Sequence, residues 1–375
     1  MKASISMRAL GIDPGTKSFD LCCIEDDVDK VVLDTSISSD VVAVNPSKVL
    51  NMILEANADV IVGPSGYGLE FKHISQFTPE DVALTTLDKM GDVEIPVLSG
   101  LRRLLLMMKD AKLNAYSLPG VIHLPTVPLH RKMNKIDMGT ADKTCVAAFA
   151  VWDQAREYGI DYAETSLICV EMGFGYNAAI AVEDGRVIDG IGGTIFPGPG
   201  YLTLSLMDGE LAYLLGGFSK LRLFQGGATF IAANQVMELD EFVKKVDEEE
   251  AFKVAWNAMV DGIVKAVSMA MTSFEKRPRE IILTGRISRI KGLYGKLEKE
   301  LGDKFNLPIR RPTSFTKAAK DVAQGSALIA NGIADGKYRG LVEVMKIKEA
   351  KGTVLDYIHL SGFSINDTLK LLRRS

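Results

Sequence analysis

Three short segments combine an acid, glycines and hydroxyls in a pattern suited to chemistry at a phosphate. The first is DPGTKS, Asp13–Ser18. A turn built on Gly15 presents backbone N–H groups that can cradle phosphate oxygens, and the Thr16 and Ser18 hydroxyls can add to them. Asp13, at the end of a strand, can hold a magnesium ion through water, and Lys17 can neutralise phosphate charge. An ordinary hairpin that starts on an acid accounts for the same residues, and so does a nuclease metal site. On this segment alone the hairpin is the preferred reading.

The second segment is EMGFGYN, Glu171–Asn177. Again an acid closes a strand, and Gly173 and Gly175 flank Phe174 in a turn that lets backbone approach a ligand. Glu171 stands where Asp13 stands, as a second candidate magnesium ligand. Two such turns at equivalent positions of two lobes would face each other across a cleft, which is harder to dismiss than either alone. The third segment is LTGRIS, Leu283–Ser288, in which Gly285 and Arg286 open a helix at a strand end. That geometry suits the base or ribose of a nucleotide, and equally a common strand-to-helix turn.

The elements around these turns repeat. Apolar patterning predicts strands over Met7–Asp13, Phe19–Ile24 and Lys30–Thr35, a helix over Pro46–Asn57 and a buried strand over Ala58–Val62. The same order of strand, strand, strand, helix, strand returns over Ser166–Glu171, Asn177–Glu183, Arg186–Ile191, Phe252–Phe274 and Glu280–Thr284. The duplication is one of architecture and not of sequence. A helix over Thr140–Tyr158 leads into the second lobe, and one over Thr316–Ile333 leads back. Ala319, Ala323, Ser326 and Ala330 form a small-residue stripe on the return helix, suited to close helix–helix approach or to plain core packing. The division expected is an N-terminal lobe over 1–145, a C-terminal lobe over 146–316 with an insertion near 194–250, and a return helix and tail over 317–375 packing on the N-terminal lobe.

Composition narrows the class. The 375 residues are 47% hydrophobic and 25% charged, in the range of a globular protein with a sizeable core. A net charge of -4 argues against a general nucleic-acid binder. Cys22, Cys23, Cys145 and Cys169 lack metal-ligand or paired spacing and read as small buried hydrophobes in a reducing cytoplasm. No apolar run is long enough for a membrane span and no signal core opens the chain, so a cytoplasmic location is expected. His123 and His130, seven residues apart, have no third metal ligand spaced to join them. Arg102 and Arg103 read as a solvated helix face, and FPGPG (Phe196–Gly200) as a rigid turn or the wall of an acceptor pocket.

Together the three turns resemble those of the actin-like ATPase superfamily of sugar kinases, acetate kinases and heat-shock chaperone ATPases. Within it, DVIVGPSGYG (Asp59–Gly68), PGVIHLPTVP (Pro119–Pro128), HRKMNKIDMGTADKTCVAAFAV (His130–Val151), EMGFGYNAAIAVEDGRVIDG (Glu171–Gly190) and FPGPGYLTLSLMDGELAYLLGGFSK (Phe196–Lys220) are similar to butyrate kinase segments in the same order. The archaeal group of predicted butyrate kinases is the nearest resemblance. It implies two RNase H-like α/β lobes with ATP and Mg2+ between them, the hairpins on the triphosphate and the Gly285 turn on adenosine. It implies phosphoryl transfer to a small-molecule acceptor, with a short carboxylate as the family precedent, and assembly with further copies of the chain stays open.

The sequence departs from that pattern where substrate choice is expected. Gly63-Pro64-Ser65-Gly66 lacks the family's arginine, Ala141-Asp142-Lys143 replaces Asn-Gln-Lys, and the second phosphate turn carries Glu171 and Phe174 in place of His-Met-Gly-Gly-Gly. A carboxylate kinase needs cations for the acyl group and the moving phosphoryl; the candidates are Arg131 and Lys143, flanking DMGTAD, and the pair Arg102–Arg103, for which the solvated helix face is the preferred reading. Asp142 is the candidate base or metal-orienting acid, and a base serves a hydroxyl acceptor better than a carboxylate. Two further classes stay in view. One is an ATP-driven switch acting on a partner protein. The other is a nuclease, since GIDPG also opens Holliday-junction resolvases; the two-lobe repeat and acidic charge weigh against it.

Overall fold

The computed structural model describes residues 6–374. In the first lobe β1 (Arg8–Pro14), β2 (Ser18–Glu25) and β3 (Asp27–Ser38) form an antiparallel meander. β4 (Val60–Val62) joins β1 in parallel and β5 (Ala115–Tyr116) joins β4, giving the order β3-β2-β1-β4-β5. The second lobe repeats this with β6 (Leu167–Met172), β7 (Asn177–Glu183), β8 (Arg186–Ile191), β9 (Glu280–Thr284) and β10 (Ile309–Arg310), in the order β10-β9-β6-β7-β8. The two orders match strand for strand, so the expected duplication is present. β1 and β6 sit at the centre of their sheets, covered on both faces, which is why LGI and LICV read as apolar runs and not as alternation.

β3 is longer than its apolar stretch predicts. It is an edge strand, so its polar ends face water and carry no burial signal in the sequence. The crossover helices, Ser47–Glu55 and Glu250–Met271, return the chain to the parallel strands. The longer one buries Phe252, Trp256, Met259, Ile263 and Val267, the spacing read from sequence, while Phe274 lies beyond its end.

Two helices join the lobes. The linking helix spans Ala141–Tyr158 and ends on Gly159 at φ 62°, a conformation glycine adopts without strain. The return helix spans Asp321–Ile333 and is buried along its whole length. It begins at Asp321 rather than Thr316 because Lys317, Ala318 and Ala319 donate their N–H groups to the Asp34 carboxylate of β3 in place of starting helix. Close approach between the two helices occurs at Gly325, where a Cβ would collide with the Cys145 carbonyl of the linking helix. The Ala323–Ser326 part of the small-residue stripe packs instead on the first sheet. A Cβ on Gly11 of β1 would collide with Ala323 O and Ala327 N, and Ser326 Oγ donates to Val62 O at 3.1 Å.

Candidate active site

The two hairpins carry the acids in matching register. Asp13 pairs with Asp20 and Pro14 with Phe19, leaving Gly15–Lys17 as the turn. Glu171 pairs with Ala178 and Met172 with Asn177, leaving Gly173–Tyr176. Each acid is thus the last residue but one of a central strand, and both side chains line one cleft between the lobes. The tips of the hairpins touch. A Cβ on Gly175 would lie 2.8 Å from Thr16 Oγ1, so glycine is what lets this contact form. Lys17 Nζ lies 5.2 Å above the Phe174 ring and 2.6 Å from Glu238 Oε1 of the insertion. The FPGPG turn and the residues after it support this tip from behind: Gly200 packs on Gly175 O, which also accepts the Thr203 hydroxyl at 2.9 Å, and Gly198 packs directly on Gly262 of the long crossover helix.

The floor of the cleft is the start of the linking helix. Lys143 Nζ lies 2.5 Å from Asp142 Oδ2 and 2.6 Å from Glu171 Oε2. Asp142 also accepts the Thr140 hydroxyl through its other oxygen. Burial works against the Lys143 charge, yet Asp142 and Glu171 outweigh it and the lysine's pKa is raised. Burial pushes the Glu171 carboxyl above its ordinary range against the pull of Lys143, which is its ion-pair partner. Burial also pushes Asp13 well above the ordinary carboxylate range, with Lys320 opposing and Asp20 and Asp142 adding to the shift. Among the described residues no hydrogen bond reaches the Asp13 carboxylate. Asp13 is thus a dehydrated carboxylate without a partner and Glu171 one paired only with Lys143; among the described residues no cluster of three ligands is present, so a divalent cation would fit here only through its own water shell.

The opposite wall comes from β9 and the return helix. Gly285, at φ 83°, packs on Met172 at the end of β6 and donates its N–H to Asp321 Oδ2 at 3.3 Å. Asp321 is held in turn by Arg289 at 2.8 Å. Arg286 reaches Ser18 Oγ at 3.3 Å, and Lys320 reaches the same oxygen at 2.7 Å while pairing with Asp20. Lobe two and the return helix are therefore tied to the first hairpin through Ser18 and Asp20.

The hairpin, Gly285–Arg286 and Asp142–Lys143 residues singled out from the sequence all line the cleft; Arg131, the Arg102–Arg103 pair and the FPGPG turn do not. Arg131 lies on the short helix Leu129–Lys132 and donates to Ile188 O at 2.8 Å and Ser273 O at 3.0 Å, bracing the second lobe. Arg102 also differs from expectation. Only Arg103 is solvated, while Arg102 is 2% exposed and paired with Asp88. His123 is buried with Nε2 unpartnered, and His130 is exposed. All four cysteines are free and buried, as read from their spacing. Sequence reasoning missed Asp20, Lys220, Lys320 and Asp321. The only local signal was the adjacent Lys-Asp pair that opens the return helix.

The fold is that of the actin-like ATPases. It is similar to a propionate kinase from Francisella tularensis subsp. tularensis SCHU S4 (TM-score 0.61, 14% identity, 85% of this chain and 98% of that one). It is also similar to Porphyromonas gingivalis acetate kinase (TM-score 0.57, 13% identity, 86% and 98%) and to acetate kinase from Entamoeba histolytica (0.55, 12%, 80% and 86%). The chain belongs to the family described as "Protein of unknown function (DUF1464)", whose model matches residues 11–360. No curated protein matches the sequence. Among the described residues no helix is long and apolar enough to cross a membrane.

Proposed function

We propose that this protein is an ATP-dependent phosphotransferase that moves the γ-phosphoryl group of Mg-ATP to a small acceptor, a short-chain carboxylate by family precedent. The observation that carries the reading is the matched placement of Asp13 and Glu171 on two glycine hairpins facing one cleft, with Lys143 at its floor. In this reading the hairpin N–H groups and Thr16 hold the phosphates, and Lys17 exchanges Glu238 and Phe174 for phosphate charge. Gly285 and Arg286 border the nucleoside. Asp13 and Glu171 would hold magnesium through water, and the ion supplies neutralisation of the phosphate charge when bound.

Phosphoryl transfer needs positioning and charge stabilisation more than covalent chemistry from the protein. Lys143 is placed for that, its ammonium held charged by two acids. Asp142 is held by Thr140 and Lys143 and would take the proton of a hydroxyl acceptor; an ionised carboxylate acceptor has none to give. Closure of the lobes excludes water from the transfer. The test is a screen of short carboxylates and hydroxy acids for acceptor-dependent ADP release, and its failure across the panel refutes the reading.

A second reading is an ATP-binding switch that acts on a partner protein. The contact of Thr16 with Gly175 and the Lys17–Glu238 pair favour it, since the lobes are joined by contacts a nucleotide would have to rearrange. ATP hydrolysis stimulated by a protein and not by small acids would support it.

A further inference from the structure

The cleft also extends along the first lobe. The loop after β4 reaches the linking helix, where Gly66 O accepts the Ala141 N–H at 2.9 Å, so Ser65–Tyr67 forms the wall beside Asp142. Past that loop the lining turns aliphatic, with Val97, Leu98 and Leu101 from the helix Pro96–Asp110 and Leu118 after β5. Tyr67 and Tyr176 also line it, and among the described residues neither hydroxyl has a hydrogen-bond partner.

Five cations line the whole cleft: Lys17, Lys143, Lys220, Arg286 and Lys320. Lys17, Lys143 and Lys320 each pair with a carboxylate, and Arg286 sits on Ser18 at the hairpin. Lys220, from the insertion, has no carboxylate partner among the described residues. Its ammonium donates to Thr86 O at 2.5 Å and Leu87 O at 3.3 Å and lies 4.6 Å above the Tyr67 ring. An ammonium has three donors, and the two carbonyls take two of them, with the Tyr67 ring the only other partner among the described residues. A charge held this way against an apolar wall is costly unless a ligand completes it.

We infer that Lys220 is the acceptor-binding residue, holding the carboxylate of an organic acid whose apolar tail lies along Val97, Leu98, Leu101 and Leu118. The inference rests on the phosphotransferase reading for the meaning of "acceptor", but it can be tested without turnover. Burial pulls the Lys220 pKa down to about 8. Asp88, Asp92 and Asp137 face it and favour its charge; Asp92 already accepts the Lys220 N–H, and Asp137 accepts from Gly139 and Thr194. Acid binding should therefore weaken as pH rises through about 8, where the lysine loses its proton.

The experiment is calorimetric binding of straight-chain acids, acetate through octanoate, with the matching primary alcohols as uncharged controls, to the parent, Lys220→Gln and Lys220→Arg. Gln keeps a donor for the Thr86 and Leu87 carbonyls while removing the charge, so a purely structural anchor would be spared. Expected are affinities that rise about fourfold per buried methylene until the pocket is filled. The expected loss is at least tenfold for acids but not alcohols in Lys220→Gln. Lys220→Arg should keep affinity and lose the fall near pH 8. Equal acid affinity in parent and Lys220→Gln, or no acid binding to a protein that binds ATP, overturns the inference. Acid binding through Lys220 in a protein that does not bind ATP upholds it and refutes the phosphotransferase reading instead.

Discussion

Lys143 and Glu171 form an ion pair at 2.6 Å that joins the linking helix to the second hairpin, and both side chains are under a tenth exposed. In the proposed phosphotransferase the pair would fix Lys143 beside the transferring phosphoryl group. Replacing it as Lys143→Met leaves Glu171 and Asp142 beside an uncharged side chain. Breaking a buried pair on one side costs about 3–5 kcal/mol, so denaturant midpoints should fall clearly. Turnover, where folded protein remains, should fall by about 10²–10³-fold, as for removal of one transition-state donor.

Asp13 separates stability from function. Its folded pKa is raised, so between the ordinary carboxylate range and that raised value the folded state holds a proton that the unfolded state has lost. Stability of the parent without metal is therefore lost as pH rises through that window. Asp13→Asn should melt higher than the parent at pH 8, with the difference shrinking as pH falls and vanishing below about pH 3, where both states are protonated. Magnesium should raise the parent's melting temperature and leave that of Asp13→Asn unchanged. A variant that melts lower at pH 8 would contradict the burial argument.

Glu238→Gln tests the contact between hairpin and insertion. The Lys17–Glu238 pair is largely exposed, so its loss should change stability by about 0–1 kcal/mol. Freed of this partner, Lys17 should bind phosphate more readily, and ATP affinity by calorimetry should rise severalfold. A fall in affinity would mean that Glu238 assists the nucleotide.

Gly11→Ala probes the frame that holds the site. The added methyl meets backbone atoms of the return helix, Ala323 O and Ala327 N, which cannot rotate away. Overpacking of this kind costs about 1–3 kcal/mol. Since the same helix begins with Lys320 and Asp321, the variant should also lose nucleotide affinity, measured on the folded fraction.

The acids and glycines of the site were legible because each stands at a strand end before a turn, a local pattern. The duplicated strand order was legible for the same reason, since apolar runs mark central strands. Asp20 was not legible: it lies inside FDLCC, where an acid reads as an outward strand position. Its partner Lys320 comes 300 residues later and meets it only once the return helix has folded back on β1. Lys220 was hidden in the same way, inside an insertion whose docking on Thr86 and Leu87 has no periodic signal. Arg131 shows the opposite error. Proximity in sequence to DMGTAD suggested the cleft, but the short helix Leu129–Lys132 aims its guanidinium at two carbonyls of the second lobe.

The most direct test is ADP release from Mg-ATP by the purified protein with and without short organic acids, parent against Asp13→Asn. The predicted result is release that depends on an acid, with a phosphorylated acid appearing in equal amount by phosphorus NMR, and neither signal from Asp13→Asn. Release from the parent that ignores every acid, or that survives in Asp13→Asn at the parent's rate, would contradict a phosphotransferase site built on the two hairpins.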